Sequence, residues 1–559
     1  MWTGQKVFER VAHNPLLHLQ LRDCNIAPTT PMGLAANTYT PRVMPSRIPL
    51  RLPRVCVAVI GQDANAMVEK AESLVRDNPF LEFRLDYLSK PALALPKIKK
   101  FTEYNPHAVL IATCRRVNSG GKFRGSIASQ LQVLAKAADA GCQLIDVELQ
   151  TAERAKAEHI QRLRSRASLI LSYHDFRATK KLEESLQRMT KTPADLYKLV
   201  TTATTLYDNV QMMKFLEQHG DRHSIIGFCM GEQGIISRLL SVRAGSVFTF
   251  AAATSGEETG PGQVTAQELR STYRIEQVDA ATRVYGVVGD PVAHSLSPAI
   301  MNAALRRENV NGVYLPLHAK SLPDLISCIG DIPIHGLSIT MPYKQAILEY
   351  LDNTDSHTTK IGACNTVVRA QDGKLYGFNT DTSGVVRPLE QRIALQGAKI
   401  LVLGAGGAAR AAVYGLKERG AEIWILNRSA APALKLARSA KVKCAKRADL
   451  KKLSFDVIIN ATPVGMGSSK ESLLSEKEIN ARYVFDMVYD PPETPFMALA
   501  RARGATVIPG IEMFVQQAAR QFEIWTGKPA PWDEMLRVVN LAMQDRAATR
   551  AASKNGRRK

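Results

Sequence analysis

"KILVLGAGGAARAAVYGLKERGAEIWILNRS", residues 399–429, decides how the second half of this 559-residue chain folds. An apolar, β-rich run leads into Gly404, Ala405, Gly406, Gly407 and Ala408. An alanine-rich stretch of helical period follows, and a second apolar run ends in Asn427, Arg428 and Ser429. Glycines let the backbone turn sharply and approach a pyrophosphate, whose charge then rests at a helix N-terminus. A glycine-rich turn alone is a weak signal. Strand, glycine turn, helix and strand in succession make a Rossmann-type dinucleotide-binding unit, expected over residues 396–515. Sites that select NAD usually place an acid after the second strand to bind the ribose hydroxyls. Asn427, Arg428 and Ser429 instead offer a cation and donors suited to a 2′-phosphate, so NADP is the expected cofactor.

Upstream, the pattern restarts at "RVYGVVGDPVAHSLSPAIMNAAL" (283–305), a strand, a turn and a helix with Pro298 in its first turn. A domain boundary is expected at about 280–283, with a substrate domain over 283–390 that helices at about 516–545 complete. Two stretches in it carry chemistry: "LSITMPYKQAI" (337–347), with Thr340 and Lys344, and "GACNTVVRAQDGKLYGFNTDTSG" (362–384), with Asn365 and Asp381. Reducing a ketone requires a proton for the developing alkoxide. A lysine–aspartate pair supplies and recycles one while hydrogen-bonding a substrate hydroxyl. Taken singly, a lysine such as Lys344 is more often a surface residue and an aspartate such as Asp381 more often a helix N-cap.

The first half alternates short β-rich runs with longer helical ones. The strand candidates are 55–61, 80–87, 108–115, 142–149, 168–175, 195–202, 224–231 and 246–252. Near-continuous apolar strands separated by helices imply a parallel sheet. Eight such units over 53–280 fit a (β/α)8 TIM barrel, with an open doubly wound sheet as the alternative. Polar residues gather at the C-terminal ends of these strands: Glu82, Arg84, Asp86, Arg115, Asp146, Glu148, His174, Asp175 and Lys198. Those ends form the catalytic face of a barrel.

Lys198, in "PADLYKLVTT" (193–202), stands inside a run that otherwise reads as a buried strand. An unpaired ammonium is costly there, and Arg84, Arg115 or Arg238 beside it are expected to favour the neutral amine. A neutral amine attacks a ketone to form an imine, which acidifies the neighbouring C–H. His174 can remove that proton and assist a leaving group, and Glu148 is expected to orient its ring. The residues alone point to an imine-forming lyase or aldolase.

Bulk properties exclude other classes. No apolar run approaches the roughly 18–20 residues of a membrane span. The eight cysteines form no CxxC pair and no zinc-spaced cluster, so no disulfide framework or metal is expected. The net charge of +21 is scattered, apart from the tail "RAATRAASKNGRRK", so anionic small substrates are the expected partners and nucleic acid is not. Residues 1–52 read as an irregular extension and 546–559 as a disordered basic tail. The extension is poor in acids, as a plastid presequence is, but nearly lacks serine. A cytoplasmic monomer is therefore expected, with a plastid location the alternative.

Two family resemblances sharpen this. "LEFRLD", "IDVEL", "SYHDF", "YKLVTTA", "GIISR" and "TGPGQ" occur in the order and spacing of type I 3-dehydroquinate dehydratases, over about 54–278. The resemblance implies an imine between Lys198 and the substrate's C3 ketone, with His174 as acid/base and Glu148 as its partner. It also implies that Glu82, Arg84 and Arg115 hold hydroxyls or ring substituents, that Arg238 takes the carboxylate, and that Thr259 and Gln263 close the site.

"AHSLSP", "TMPYK", "GACNT", "GFNTD", "GAGGAARA", "NATPVGM", "DMVYDP" and "GIEMFVQQAARQFEIWTG" resemble shikimate dehydrogenases over about 283–545. By position, Ser295 and Ser297 would hold the substrate carboxylate, and Thr340, Asn365 and Gln517 its hydroxyls. Lys344 and Asp381 would be the catalytic pair. Thr462 and Met487 would line the nicotinamide pocket, with Tyr489 near the substrate and Gly510 near the cofactor. Pro432 stands where NADP-selective members often carry another base. The whole resembles the fused enzymes of aromatic biosynthesis, in which the first product is the second substrate. A quinate or shikimate/quinate dehydrogenase, NAD-linked, is the alternative for the second half.

Overall fold

The computed structural model describes residues 52–556 except 293, 294 and 468, so the extension expected at 1–52 lies almost wholly outside the described residues. Eight strands make the first sheet: β1 (Val55–Val59), β2 (Phe80–Arg84), β3 (Val109–Thr113), β4 (Leu144–Glu148), β5 (Ser168–His174), β6 (Leu196–Thr202), β7 (Ile225–Met230) and β8 (Thr249–Ala252). Their hydrogen-bonded order is β7-β6-β5-β4-β3-β2-β1-β8, with every pair parallel. β8 returns beside β1, which makes this the barrel and not the open sheet. β7 and β8 share no ladder, but Val247 N–H donates to Ile225 O at 2.9 Å where the two begin.

Alternate residues of a strand face the same side. Leu196 and Val200, Leu144, Phe80, Ile111, Ile170, Phe248 and Phe250 accordingly pack into one apolar cluster. Lys198 lies on that face of β6, Asp146 and Glu148 on that of β4, and Glu82 and Arg84 on that of β2. The period of two thus turns a row of polar residues inward at the C-terminal rim. Helix α1 (Ile127–Asp139), opened by Ser126 whose Oγ accepts from Ser129 N–H at 3.2 Å, buries Gln130 beneath it. Helix α2 (Ile235–Leu240) buries Arg238.

The chain folds as two compact units. The barrel's unit runs to Pro298 and includes Asn311–Ile334; the other holds Ala299–Val310 and the chain from His335. β9 (Arg283–Gly289) and β10 (Gly312–His318) are a parallel pair that begins after the boundary expected at 280–283 and forms no ladder with the eight barrel strands.

In the other unit, β11 (Ile334–Ile339) pairs antiparallel with β13 (Thr366–Arg369), and β13 with β14 (Leu375–Phe378). The short β12 (Asn353–Thr354) runs parallel to β14. Helix α3 (Asp381–Glu390) leaves β14. The nucleotide-type sheet has β15 (Lys399–Leu403), β16 (Glu422–Leu426), β17 (Lys443–Cys444), β18 (Phe455–Asn460), β19 (Ala481–Asp486) and β20 (Thr506–Ile508). Its order β17-β16-β15-β18-β19-β20, all parallel, is the doubly wound Rossmann order. Ile400 and Val402 belong to one buried cluster and Leu401 and Leu403 to another, as a strand covered on both faces requires.

Helix α4 (Gly407–Glu418) follows β15, and helix α5 (Gly510–Thr526) returns to the mixed sheet, where Trp525 Nε1 donates to Val367 O at 3.0 Å. Helix α6 (Trp532–Gly556) carries the chain through most of the tail expected to be disordered. Its alanine-rich "RAATRAAS" has high helix propensity, which outweighs its charge.

Candidate active sites

At the C-terminal rim of the barrel a cavity is lined by Glu82, Arg84, Arg115, His174, Lys198, Arg238, Thr259 and Gln263. All eight were expected there. Lys198, 3% exposed, donates to Asp146 Oδ2 at 3.1 Å, lies 3.7 Å from Glu82 Oε1, and sits 3.7 Å over the Phe250 ring. Its direct ionic contacts are two acids, and Arg115, one of the arginines expected beside it, binds the same Asp146 oxygen. Period-2 alternation brings the β4 and β2 carboxylates to it. Arg84 grips Asp86 through two bonds of 2.9 and 2.8 Å.

Arg115 Nη2 donates to Asp146 Oδ2 at 2.8 Å, and its Nη1 to His174 Nε2 at 2.9 Å. An arginine only donates, so Nε2 is the acceptor and the ring proton is on Nδ1. Removal from water, then the Arg115 and Lys198 charges, hold His174 well below its ordinary pKa, leaving it neutral. Glu148, expected as its partner, instead accepts Arg116 N–H at 2.6 Å and Gln130 Nε2 at 2.5 Å. Burial raises its pKa. It organises the β3 loop rather than the imidazole.

Arg238 is 2% exposed. Its Nη groups reach only carbonyls, Phe250 O at 3.5 Å and Pro261 O at 3.2 Å, and it has no acidic partner among the described residues. Burial pulls its pKa down to about 10, and its Nε has no partner. A buried guanidinium without a counter-ion is a site for an anionic ligand. Thr259 donates to Gln263 Oε1 through N–H (2.7 Å) and Oγ1 (3.2 Å), tying the last loop together.

In the other unit Lys344 Nζ donates to Asp381 Oδ2 at 2.5 Å. Asp381 is the first residue of α3, with Thr380 before it, so it is no N-cap. Asn365, expected to meet a substrate hydroxyl, donates to Asp381 Oδ1 at 2.8 Å and to Thr380 Oγ1 at 3.0 Å. Its Oδ1 accepts from Thr366 Oγ1 and Thr380 N–H. With both amide hydrogens engaged, it aims the Asp381 carboxylate. Gln521 on α5 donates to Asn365 O at 3.0 Å and ties that helix to the pair. Neither Gln521 nor this use of Asn365 was legible in the sequence.

Gln517 donates to Phe514 O, and Tyr489 stacks on Phe514 with centroids 4.8 Å apart, so α5 brings these two expected residues together. Thr340 O accepts from Tyr343 N–H at 2.9 Å in the turn that carries Lys344. Ser295 Oγ accepts from Ser297 N–H at 3.2 Å in the barrel's unit; residues 293 and 294 of "AHSLSP" lie outside the described residues.

In the Rossmann sheet, Gly404 has φ +115° and faces the β18 loop. A Cβ there would come within 3.0 Å of Thr462 Cγ2. Gly406 and Gly407 at the start of α4 have nothing within 4 Å of a Cβ, so the chain leaves a bare backbone cradle at a helix N-terminus. Ala405 and Ala408 flank it. Asn427 donates to Ser429 O at 2.9 Å, and Arg428 is exposed without an ion pair among the described residues. Asn460 O accepts Met487 N–H at 3.0 Å, and its Oδ1 holds Thr462 N–H at 2.9 Å. Gly510 packs so closely on Met487 and Val488 that a Cβ would lie within 2.7 Å of their carbonyl oxygens. These residues fit a dinucleotide.

Barrel and double-wound unit, each with a lysine at its site, define a chain of two joined enzymes. Family models match it in sequence order: type I 3-dehydroquinase at 55–280, shikimate dehydrogenase substrate binding domain at 287–367, shikimate/quinate 5-dehydrogenase at 388–487 and shikimate 5'-dehydrogenase C-terminal domain at 510–539. The bifunctional 3-dehydroquinate dehydratase/shikimate dehydrogenase of Arabidopsis thaliana chloroplasts is 34% identical over 85% of this chain and 82% of that protein. The shikimate biosynthesis protein AroDE of Chlamydia pneumoniae is 31% identical over 68% of this chain and 77% of that protein. The NADP(+) shikimate dehydrogenase of Syntrophobacter fumaroxidans is 38% identical over 45% of this chain and 89% of that protein. The chain belongs to the bifunctional 3-dehydroquinate dehydratase/shikimate dehydrogenase family.

Proposed function

We infer that the barrel dehydrates 3-dehydroquinate to 3-dehydroshikimate and that the second half reduces 3-dehydroshikimate to shikimate with NADPH. The observation that carries the reading is the barrel cavity, where a buried lysine, a neutral histidine and a buried arginine without an acid face one space. Arg238 binds the substrate carboxylate and Lys198 condenses with the ketone. His174 Nε2 exchanges the Arg115 N–H for the proton of the carbon next to the imine, then returns a proton to the departing hydroxyl, and water hydrolyses the imine to free the ketone product and Lys198.

In the second half, NADPH supplies a hydride when bound. Gly404, Gly406 and Gly407 would hold its pyrophosphate, and Arg428 with Ser429 its 2′-phosphate. Lys344 gives a proton to the substrate carbonyl oxygen as negative charge develops there. Asp381, aimed by Asn365, keeps the ammonium in place for that transfer.

A cytoplasmic monomer that binds no nucleic acid completes the reading. Among the described residues, no helix is long and apolar enough to cross a membrane. Borohydride reduction with dehydroquinate, mapped by mass spectrometry, is expected to modify Lys198 and no other lysine. Oxidation of shikimate with NADP should exceed that of quinate with NAD. An adduct elsewhere, or dominant NAD-linked quinate oxidation, would replace this reading.

A further inference from the structure

One buried carboxylate in the barrel has no part in the chemistry above. Asp146 is 1% exposed. Its Oδ2 accepts from Lys198 Nζ (3.1 Å) and Arg115 Nη2 (2.8 Å), and its Oδ1 from Ser172 Oγ (2.6 Å). Arg115 continues to His174 Nε2 at 2.9 Å. Ser172 is the register partner of Lys198 on the neighbouring strand, so the serine and the lysine reach the carboxylate side by side. One acid therefore touches the nucleophile directly and the acid/base through a single guanidinium. Glu82 is the weaker neighbour, 3.7 Å away and engaged by Thr113 Oγ1 at 2.6 Å.

Resting on the imine reading, we propose that Asp146 is the counter-ion of the imine nitrogen and the anchor that sets His174 relative to it. When an ammonium condenses with a ketone, the C=N bond forms and the C=O bond breaks. One of the three ammonium hydrogens stays on nitrogen, two leave with the carbonyl oxygen as water, and the positive charge remains on nitrogen. Asp146 keeps a hydrogen bond and a charge to offset throughout. Between side chains this deeply buried, such a fixed charge acts far more strongly than it would in solution. The Arg115 link meanwhile holds the imidazole in the tautomer whose Nε2 carries the lone pair.

The test uses the full chain with Asp146→Asn, which keeps the shape and removes the charge. Dehydration kcat is expected to fall about 10²-fold with KM changed by less than about threefold. The rate at which borohydride-trappable imine appears on Lys198 should fall in parallel. Shikimate oxidation by the same sample should be unchanged, which reports folding. Ser172→Ala retains the charge but frees Oδ1, and is expected to lower kcat about threefold to tenfold; it decides alone should Asp146→Asn lose both activities. Dehydration within twofold of the parent in the folded variants, or a fall in kcat with unchanged imine formation, overturns the proposal. A parent chain that is not trapped on Lys198 sinks the imine reading instead, whatever these variants do.

Discussion

The two active sites each set a lysine against an aspartate, yet they bury it differently. Lys198 and Asp146 have side chains 4% and 1% exposed, at 3.1 Å; Lys344 and Asp381 are 24% and 4% exposed, at 2.5 Å. The barrel pair comes from inward-facing positions of β6 and β4, on either side of β5, and the other from a turn after β11 and the start of α3. A nucleophile that bonds to carbon must meet its ketone ahead of bulk water, and burial secures this while the water released on condensation remains available to hydrolyse the imine at the end. A lysine that hands over a proton must recover one from water, and partial exposure supplies it. On the proposed function, the same residue pair serves covalent or proton-transfer chemistry according to how much solvent the fold admits.

This contrast breaks most easily at the barrel lysine. Lys198→Ala is expected to lower dehydration by about 10⁴-fold or more while leaving shikimate oxidation untouched. Assaying both substrates on one preparation checks it, and persistent dehydration would remove the enclosed nucleophile from the comparison.

Lys344→Met should slow 3-dehydroshikimate reduction by about 10²–10³-fold, chiefly in kcat, with normal dehydration. Full reductase activity in that variant would leave Lys344 as a binding residue at most.

A smaller effect sharpens the barrel side. Arg238→Lys replaces a planar fork by a point charge in a pocket without an acid, so KM for dehydroquinate should rise about tenfold. An unchanged KM would mean that the substrate carboxylate binds elsewhere.

The smallest effect concerns stability in the nucleotide-binding half. The Arg447 bond, against the cost of burial and with Ser475 assisting, holds the Glu478 pKa down at about 2. A depressed carboxylate stabilises the fold above the unfolded-state value of ~4.3, and the contribution is lost as pH falls towards the folded value. Glu478→Gln should therefore cost about 1 kcal/mol at pH 7 and progressively less as pH falls below ~4.3. Thermal unfolding of both forms across that range measures it, and a gap independent of pH would assign the loss to packing.

Much of this was legible in the residues because it is local. The eight barrel strands and the glycine turn follow from apolar runs, breakers and backbone freedom, none of which needs a distant partner. The strand ends were drawn too long at β2, where Leu85–Tyr87 coil into a 3-10 turn. The gathering of polar residues at one rim was visible; their pairing was not. Asp146 and Glu148 share the inward face of β4, and nothing in "IDVEL" says which one meets Lys198. Strand register decides: Lys198 stands beside Ser172, and Ser172 beside Glu148 along the backbone, yet it is Asp146 that Ser172 and Lys198 both bond. Gln130 on α1 then takes Glu148 away from the histidine.

By itself the sequence determined the kinds of element, the barrel and Rossmann halves, and which side chains could carry chemistry, since periodicity and turn residues act over a few positions. Only the tertiary structure decided that Lys198 is faced by acids, that His174 is held by Arg115, and that Asn365 and Gln521 lock Asp381. Those contacts join residues from 16 to 156 positions apart, and local propensity carries no information over such separations.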